Sequence, residues 1–188
     1  MPPLSPGYRS VVTTTELIAA VRDTAVNGIS LAAGTYLFDT QEMCTDGITE
    51  CSDGQYCDTA SVLCVQRNLT LVAAEPGTVV LDANWRRGSA FPVHNQQNTQ
   101  TSKRLLWVNA PDQAPSRVVV EIVGIVLTGG FARGYGGAVM ASGFSSLVIT
   151  GGSVLRDNFA QFGGGAAARS GAYITVAGQS AVSDNYAS

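Results

Sequence analysis

The chain has 188 residues, enough for one ordinary domain with a continuous core, and carries a formal net charge of -3. Charged residues make up 13% and glycine occupies 21 positions, so the surface is built largely from small uncharged groups and offers no basic field to a phosphate backbone. Nucleic-acid binding is therefore excluded as a general activity, and so is a membrane span: the apolar stretch Val118 to Leu127 is broken by Glu121 and falls short of the ~20 residues a spanning helix needs.

The first residues, Met1 to Gly7, show neither the charged nor the apolar region of a secretory signal. A helix signal covers residues 13 to 26. Thr13 with Glu16 three places on makes a capping box, and Leu17 and Val21 share one face. Asn27-Gly28 ends the signal with a turn, so residues 1–28 read as an N-terminal cap and 29–188 as the body. Strand patterns follow at Ile29 to Leu31 and at Gly34 to Leu37. Capping suits a sheet stack at this end, because a first layer otherwise exposes core and unpaired backbone.

An insertion is expected from 39 to 66, and it holds Cys44, Cys51, Cys57 and Cys64. Their spacing, C-x6-C-x5-C-x6-C, does not match the close pairs of a zinc site. Two disulfides in an oxidising compartment are expected instead, with three connectivities open. The same segment is acidic, with Asp39, Glu42, Asp46, Glu50, Asp53 and Asp58, so it is either a calcium-binding loop or a solvated one. No other cofactor is expected. Asn68-Leu69-Thr70 is a glycosylation acceptor at Asn68 in a eukaryotic secretory pathway. Strand pattern resumes at Leu69 to Val72 and Thr78 to Leu81, and a second, polar insertion at 84–103 carries His94, the only histidine. Strands then return at Leu105 to Val108 and run through Leu127.

From there the chain repeats. Leu127 aligns with Leu155, and Phe131-Ala132 with Phe159-Ala160, at an offset of 28 residues. Gly136-Gly137-Ala138 aligns with Gly164-Gly165-Ala166 and Ser142-Gly143 with Ser170-Gly171, again at 28. One residue is then lost, and Leu147 to Ile149 and Asp157 to Ala160 align with Ile174 to Val176 and Asp184 to Ala187 at 27. Short strands of this kind cannot bury their apolar faces alone, but coils stacked about 4.8 Å apart pair every strand above and below. Leu127, Leu155 and Val182 are then expected to point inward in one column, and Asn158 and Asn185 to form an amide ladder. The chain stops at Ser188 in mid-coil, so further coils are expected beyond it.

Val154-Leu155-Arg156-Asp157-Asn158-Phe159-Ala160, followed by Gly164-Gly165-Ala166, resembles the repeats of polymorphic outer-membrane proteins and related pectin-lyase-like β-helix proteins. Leu17 to Tyr36 is similar to the entry segment of that superfamily. The resemblance implies an all-β fold, a right-handed parallel β-helix or solenoid, here with a short capping helix and a disulfide-rich loop. It specifies coil geometry and not chemistry.

For chemistry the repeat offers little. Asp157 and Asp184 share a column at about the carboxylate spacing of a retaining glycosidase, yet Asp beside Asn at a turn commonly serves local backbone. Arg133, Arg156 and Arg169 fall in three different columns, and His94 has no partner in sequence that marks it as a base. Phe131, Phe159 and Tyr186 form an aromatic column, a stacking platform for sugar rings if it faces outward, and otherwise core or a partly covered stack near the turn. The expectation is a non-enzymatic extracellular or cell-surface module, adhesive or structural, with polysaccharide or surface proteins as partners. The alternative is a polysaccharide lyase or glycoside hydrolase whose groove lies in coils outside these residues.

Overall fold

The computed structural model describes residues 7–38, 44–45, 60–86, 103–110 and 114–187. They are mostly strand, with one helix, and the strands pair in parallel apart from one short antiparallel pair and one isolated bridge.

The helix, α1, covers Thr14–Arg22 and starts as its sequence dictates. Thr13 Oγ1 accepts the Glu16 N–H at 3.2 Å, while Glu16 Oε2 accepts the N–H groups of Thr13 at 3.2 Å and Val12 at 2.8 Å. Leu17, Ala20 and Val21 are its buried residues. At its far end the Arg67 guanidinium donates to the carbonyls of Ala20, Asp23 and Val26, which places a cation where the helix leaves its acceptors unsatisfied. A strand not foreseen from sequence, β1 (Tyr8–Val11), precedes the helix and pairs with β2 (Gly28–Leu31). Residues 7–28, expected only as a cap, thus supply sheet as well as the helix. Only Val11 of β1 is buried, which left the strand without an apolar alternation.

Four sheets account for the rest. The first orders β1, β2, β6 (Leu69–Ala73), β9 (Val118–Val123), β13 (Ser145–Thr150) and β17 (Tyr173–Val176). The second orders β3 (Gly34–Leu37), β7 (Val79–Asp82), β10 (Ile125–Thr128), β14 (Val154–Leu155) and β18 (Ala181–Val182). The third orders β4 (Cys44–Thr45), β5 (Ala60–Val65), β8 (Arg104–Asn109), β12 (Val139–Ser142) and β16 (Ala166–Ala168). The fourth orders β11 (Phe131–Tyr135), β15 (Phe159–Phe162) and β19 (Tyr186–Ala187). From β9 onward the chain visits the first, second, fourth and third sheets in unchanging order, moving one strand along each sheet per cycle.

β5 overturns the boundary expected for the cysteine insertion. Ala60–Val65 is a strand paired with β8, so the insertion stops before Ala60 and Cys64 belongs to the sheet. One residue ahead of the strand start expected at Leu105, β8 begins at Arg104. That residue is 1% exposed. Its guanidinium donates to the carbonyls of Tyr135 and Gly136 and to Ser61 Oγ.

Inward residues of three sheets, among them Leu71, Ile122 and Ile149 of the first, Leu81, Leu127 and Leu155 of the second, and Leu106 and Val139 of the third, meet in one apolar core. The column Tyr36, Leu81, Leu127, Leu155, Val182 stands in strict register. Its first four members are buried, whereas Val182, on the outermost strand of the second sheet, is 47% exposed.

The register corrects one alignment. Phe131 pairs with Phe159 at an offset of 28, but Tyr135 pairs with Phe162 at 27, because a bulge falls between Ala132 and Tyr135. The extra residue is therefore absorbed at Arg133-Gly134 and not after Gly143. Val139 lies over Ala166, which sets Gly136 over Gly163, and both of these glycines hold the left-handed φ the turn requires, +61° and +63°. Matching letters had placed Gly136-Gly137-Ala138 one residue out of step.

Candidate functional site

The aromatic column is a partly covered stack near a turn. Phe131 and Phe159 stack with ring centroids 5.6 Å apart and planes 10° apart, and Tyr186 follows Phe159 in register. Phe131 and Phe159 are buried but stand outside the main core, packed instead against Trp85, whose ring lies 6.0 and 5.5 Å from theirs. Tyr186 stays partly exposed. The column is neither core nor open platform: Trp85 and Tyr186 are the aromatic groups that reach a cavity.

That cavity, a cleft of about 320 Å³, is lined by Asp82, Trp85, Arg86, Thr128, Asp157 and Tyr186. It lies at the corner where the second and fourth sheets meet. Asp82 and Thr128 end β7 and β10 and are register partners, Asp157 lies in the turn between β14 and β15, and Tyr186 opens β19.

Asp82 is the fixed point of the cleft. Oδ1 accepts the Asn84 N–H at 2.7 Å and Arg86 Nη1 at 2.9 Å, and Oδ2 accepts Arg86 Nη2 at 2.6 Å, a two-point carboxylate–guanidinium pair. Burial pushes the Asp82 carboxyl up, but the Arg86 hydrogen bonds, the Asn84 N–H and the guanidinium charge outweigh burial and hold it below the ordinary 3.8. The same pair raises Arg86. Gly129 makes the pairing possible. It holds φ +65° in the same column as Asp157 and Asp184, at +55° and +52°, and a Cβ on it would overlap Asp82 Oδ1 and Arg86 Nη1. Asp157 and Asp184 hold the same left-handed corner, a conformation that Asp tolerates better than most residues.

The cleft thus offers a fixed anion, a half-exposed guanidinium, a hydroxyl, the exposed Asp157 carboxylate and two aromatic rings. Asp157 is otherwise a turn residue: its N–H donates to the Asp184 carbonyl at 3.2 Å, and Arg156 Nη1 lies 3.8 Å from its carboxylate. Beside it runs the expected amide ladder. Asn158, fully buried, accepts the Gly130 N–H through Oδ1 and donates through Nδ2 to the carbonyls of Leu127 and Arg156 and to Asn185 Oδ1. The Asn158 N–H donates to that same Asn185 oxygen.

The three arginines are spread as their columns imply: Arg133 in the bulge, Arg156 beside Asp157, and Arg169 over the Tyr135 ring at 5.6 Å. Asn68 is exposed, with Oδ1 accepting the Val119 N–H at 2.8 Å. Cys64 is disulfide-bonded. The side chain of Cys44 and all of Cys51, Cys57, His94 and the acidic residues Asp39, Glu42, Asp46, Glu50, Asp53 and Asp58 lie outside the described residues. Among the described residues no three His, Cys, Asp or Glu side chains converge as for a metal ion, and no helix is long and apolar enough to cross a membrane.

Sequence reasoning missed Asp82, Trp85 and Arg86. A signal existed: Leu81-Asp82 aligns with Leu127-Thr128, so a buried carboxylate replaced a hydroxyl at the end of a strand, with an arginine four residues on. The chain matches no family model, no curated protein and no solved structure.

Proposed function

We propose that these residues form a section of a right-handed parallel β-helix that serves, without catalysis, as an extracellular or cell-surface module for adhesion or matrix assembly. The repeated visiting order of the sheets, the single core and the likeness of the repeat to those of polymorphic outer-membrane proteins support the architecture. The bonded Cys64 supports an oxidising compartment.

The observation that carries the functional part is the Asp82–Arg86 pair. Glycoside hydrolysis needs one carboxyl held protonated as an acid and another free as base or nucleophile. Asp82 is held ionised, with both oxygens engaged. Asp157 serves a backbone corner. The cleft is built to hold a group in place rather than to move protons across one.

Incubation of the protein with soluble plant and algal polysaccharides, read by new reducing ends and by unsaturated products, tests this. No product is expected. Product whose formation is abolished by Asp157→Asn would overturn it in favour of a hydrolase or lyase.

A further inference from the structure

We propose that the cleft at the corner of the second and fourth sheets is a binding site for one neutral pyranose unit of a glycan. The inference rests on the non-catalytic reading above only in that the unit is held and not cleaved.

The lining selects the class of ligand. Trp85 and Tyr186 give aromatic surface on which the C–H face of a sugar ring packs, and Trp85 is braced by its stack on Phe131 and Phe159. Around those rings stand groups of complementary hydrogen-bonding character. Asp157 is an acceptor, the half-exposed Arg86 a donor and the Thr128 hydroxyl either. Vicinal sugar hydroxyls donate and accept at once, so they satisfy such a mixed set where a purely apolar ligand would strand it.

Charge then separates neutral sugars from uronates. Among the described residues two carboxylates and one guanidinium line the cleft, and the guanidinium is already neutralised by Asp82 through two hydrogen bonds. A uronate carboxylate would meet Asp157 with no unpaired cation among the described lining residues to offset the repulsion; Arg156, beside Asp157, is not one of them. The volume lies at the small end of ligand sites, which suits one unit of a chain rather than a buried polymer.

The site is also pre-arranged. Asp82 is held by Asn84 and Arg86, and Gly129 leaves room for the pair. Little ordering remains to be done when a ligand arrives.

The test uses cellohexaose, laminarihexaose, mannohexaose and hexagalacturonate as probes of the full chain. Trp107 is 5% exposed, so tryptophan fluorescence change reports chiefly on Trp85, with calorimetry as a second readout. At least one neutral hexaose should bind saturably, with about tenfold weaker binding in Tyr186→Ala and in Asp157→Asn, and hexagalacturonate should bind more weakly than that hexaose. Asn is tolerated at a left-handed corner and Tyr186 sits on an outer strand, so both variants should keep the circular dichroism of the parent. Binding by no neutral hexaose, binding by either variant as tight as that of the parent, or tighter binding of hexagalacturonate would overturn the inference. Cleavage of a bound hexaose would overturn the non-catalytic reading alone.

Discussion

Single side chains decide how the corners of this fold are held. Asn158 is fully buried and uses both ends of its amide, so truncation strands the Gly130 N–H and removes the link to Asn185 Oδ1. Asn158→Ala should lower unfolding free energy by about 3 kcal/mol, the scale of several buried groups left unpaired. Urea denaturation measures it, and a loss below about 1 kcal/mol would mean that the ladder is incidental. The Asp82–Arg86 pair predicts a pH effect. Because Asp82 is held below 3.8, its contribution is fully present above that value and is lost as pH falls through its lowered one. Arg86→Met removes the partner and leaves burial acting on the carboxyl, so acid unfolding should begin at higher pH than in the parent. Thermal melts from pH 7 to pH 2 would show this, and coincident profiles would contradict it.

At the scale of elements, the helix was legible in the sequence because its signals are local. Thr13 and Glu16 stand three residues apart at the helix start, and their reciprocal bonds form as expected. Thr13→Ala should cost about 1 kcal/mol, with Glu16→Gln milder because an amide can still reach the Val12 and Thr13 N–H groups only through its oxygen. Equal stability of Thr13→Ala and parent in urea would contradict the cap's role. What was not legible depends on contacts distant in sequence. β1 has one buried residue and owes its place to β2, and β5 looked like loop because its pairing partner, β8, follows more than forty residues later. The one-residue shift failed for a related reason: glycines repeat on both sides of the bulge, so matching letters could not locate it, whereas the backbone did so through Tyr135 over Phe162. The cleft was half legible. Asp157 and Tyr186 lie in the explicit repeat and were singled out, while Asp82, whose register partners are Leu37 and Thr128, shares no letter with its column, and Trp85 and Arg86 lie where β7 runs into the polar insertion.

At the scale of the molecule, parallel sheets traversed in constant order share one interior, and each column depends on the strands on either side of it. Leu155 is fully buried between Leu127 and Val182. Leu155→Asp places an unpaired carboxylate in that interior and should prevent folding, seen as loss of the strand signal in circular dichroism. Leu155→Ala, which only removes volume, should cost about 2–5 kcal/mol and leave the fold intact. The same architecture brings strand ends side by side at a corner, where Asp82, Thr128 and Tyr186 converge though they are far apart in the chain. The central claim, that the sheets wrap one solenoid interior, is tested most directly by methyl nuclear Overhauser contacts in selectively labelled protein. Leu127 and Leu155 of the second sheet should show cross-peaks both to Ile122 and Leu147 of the first and to Leu106 and Val139 of the third. Contacts confined to residues of their own sheet would contradict it.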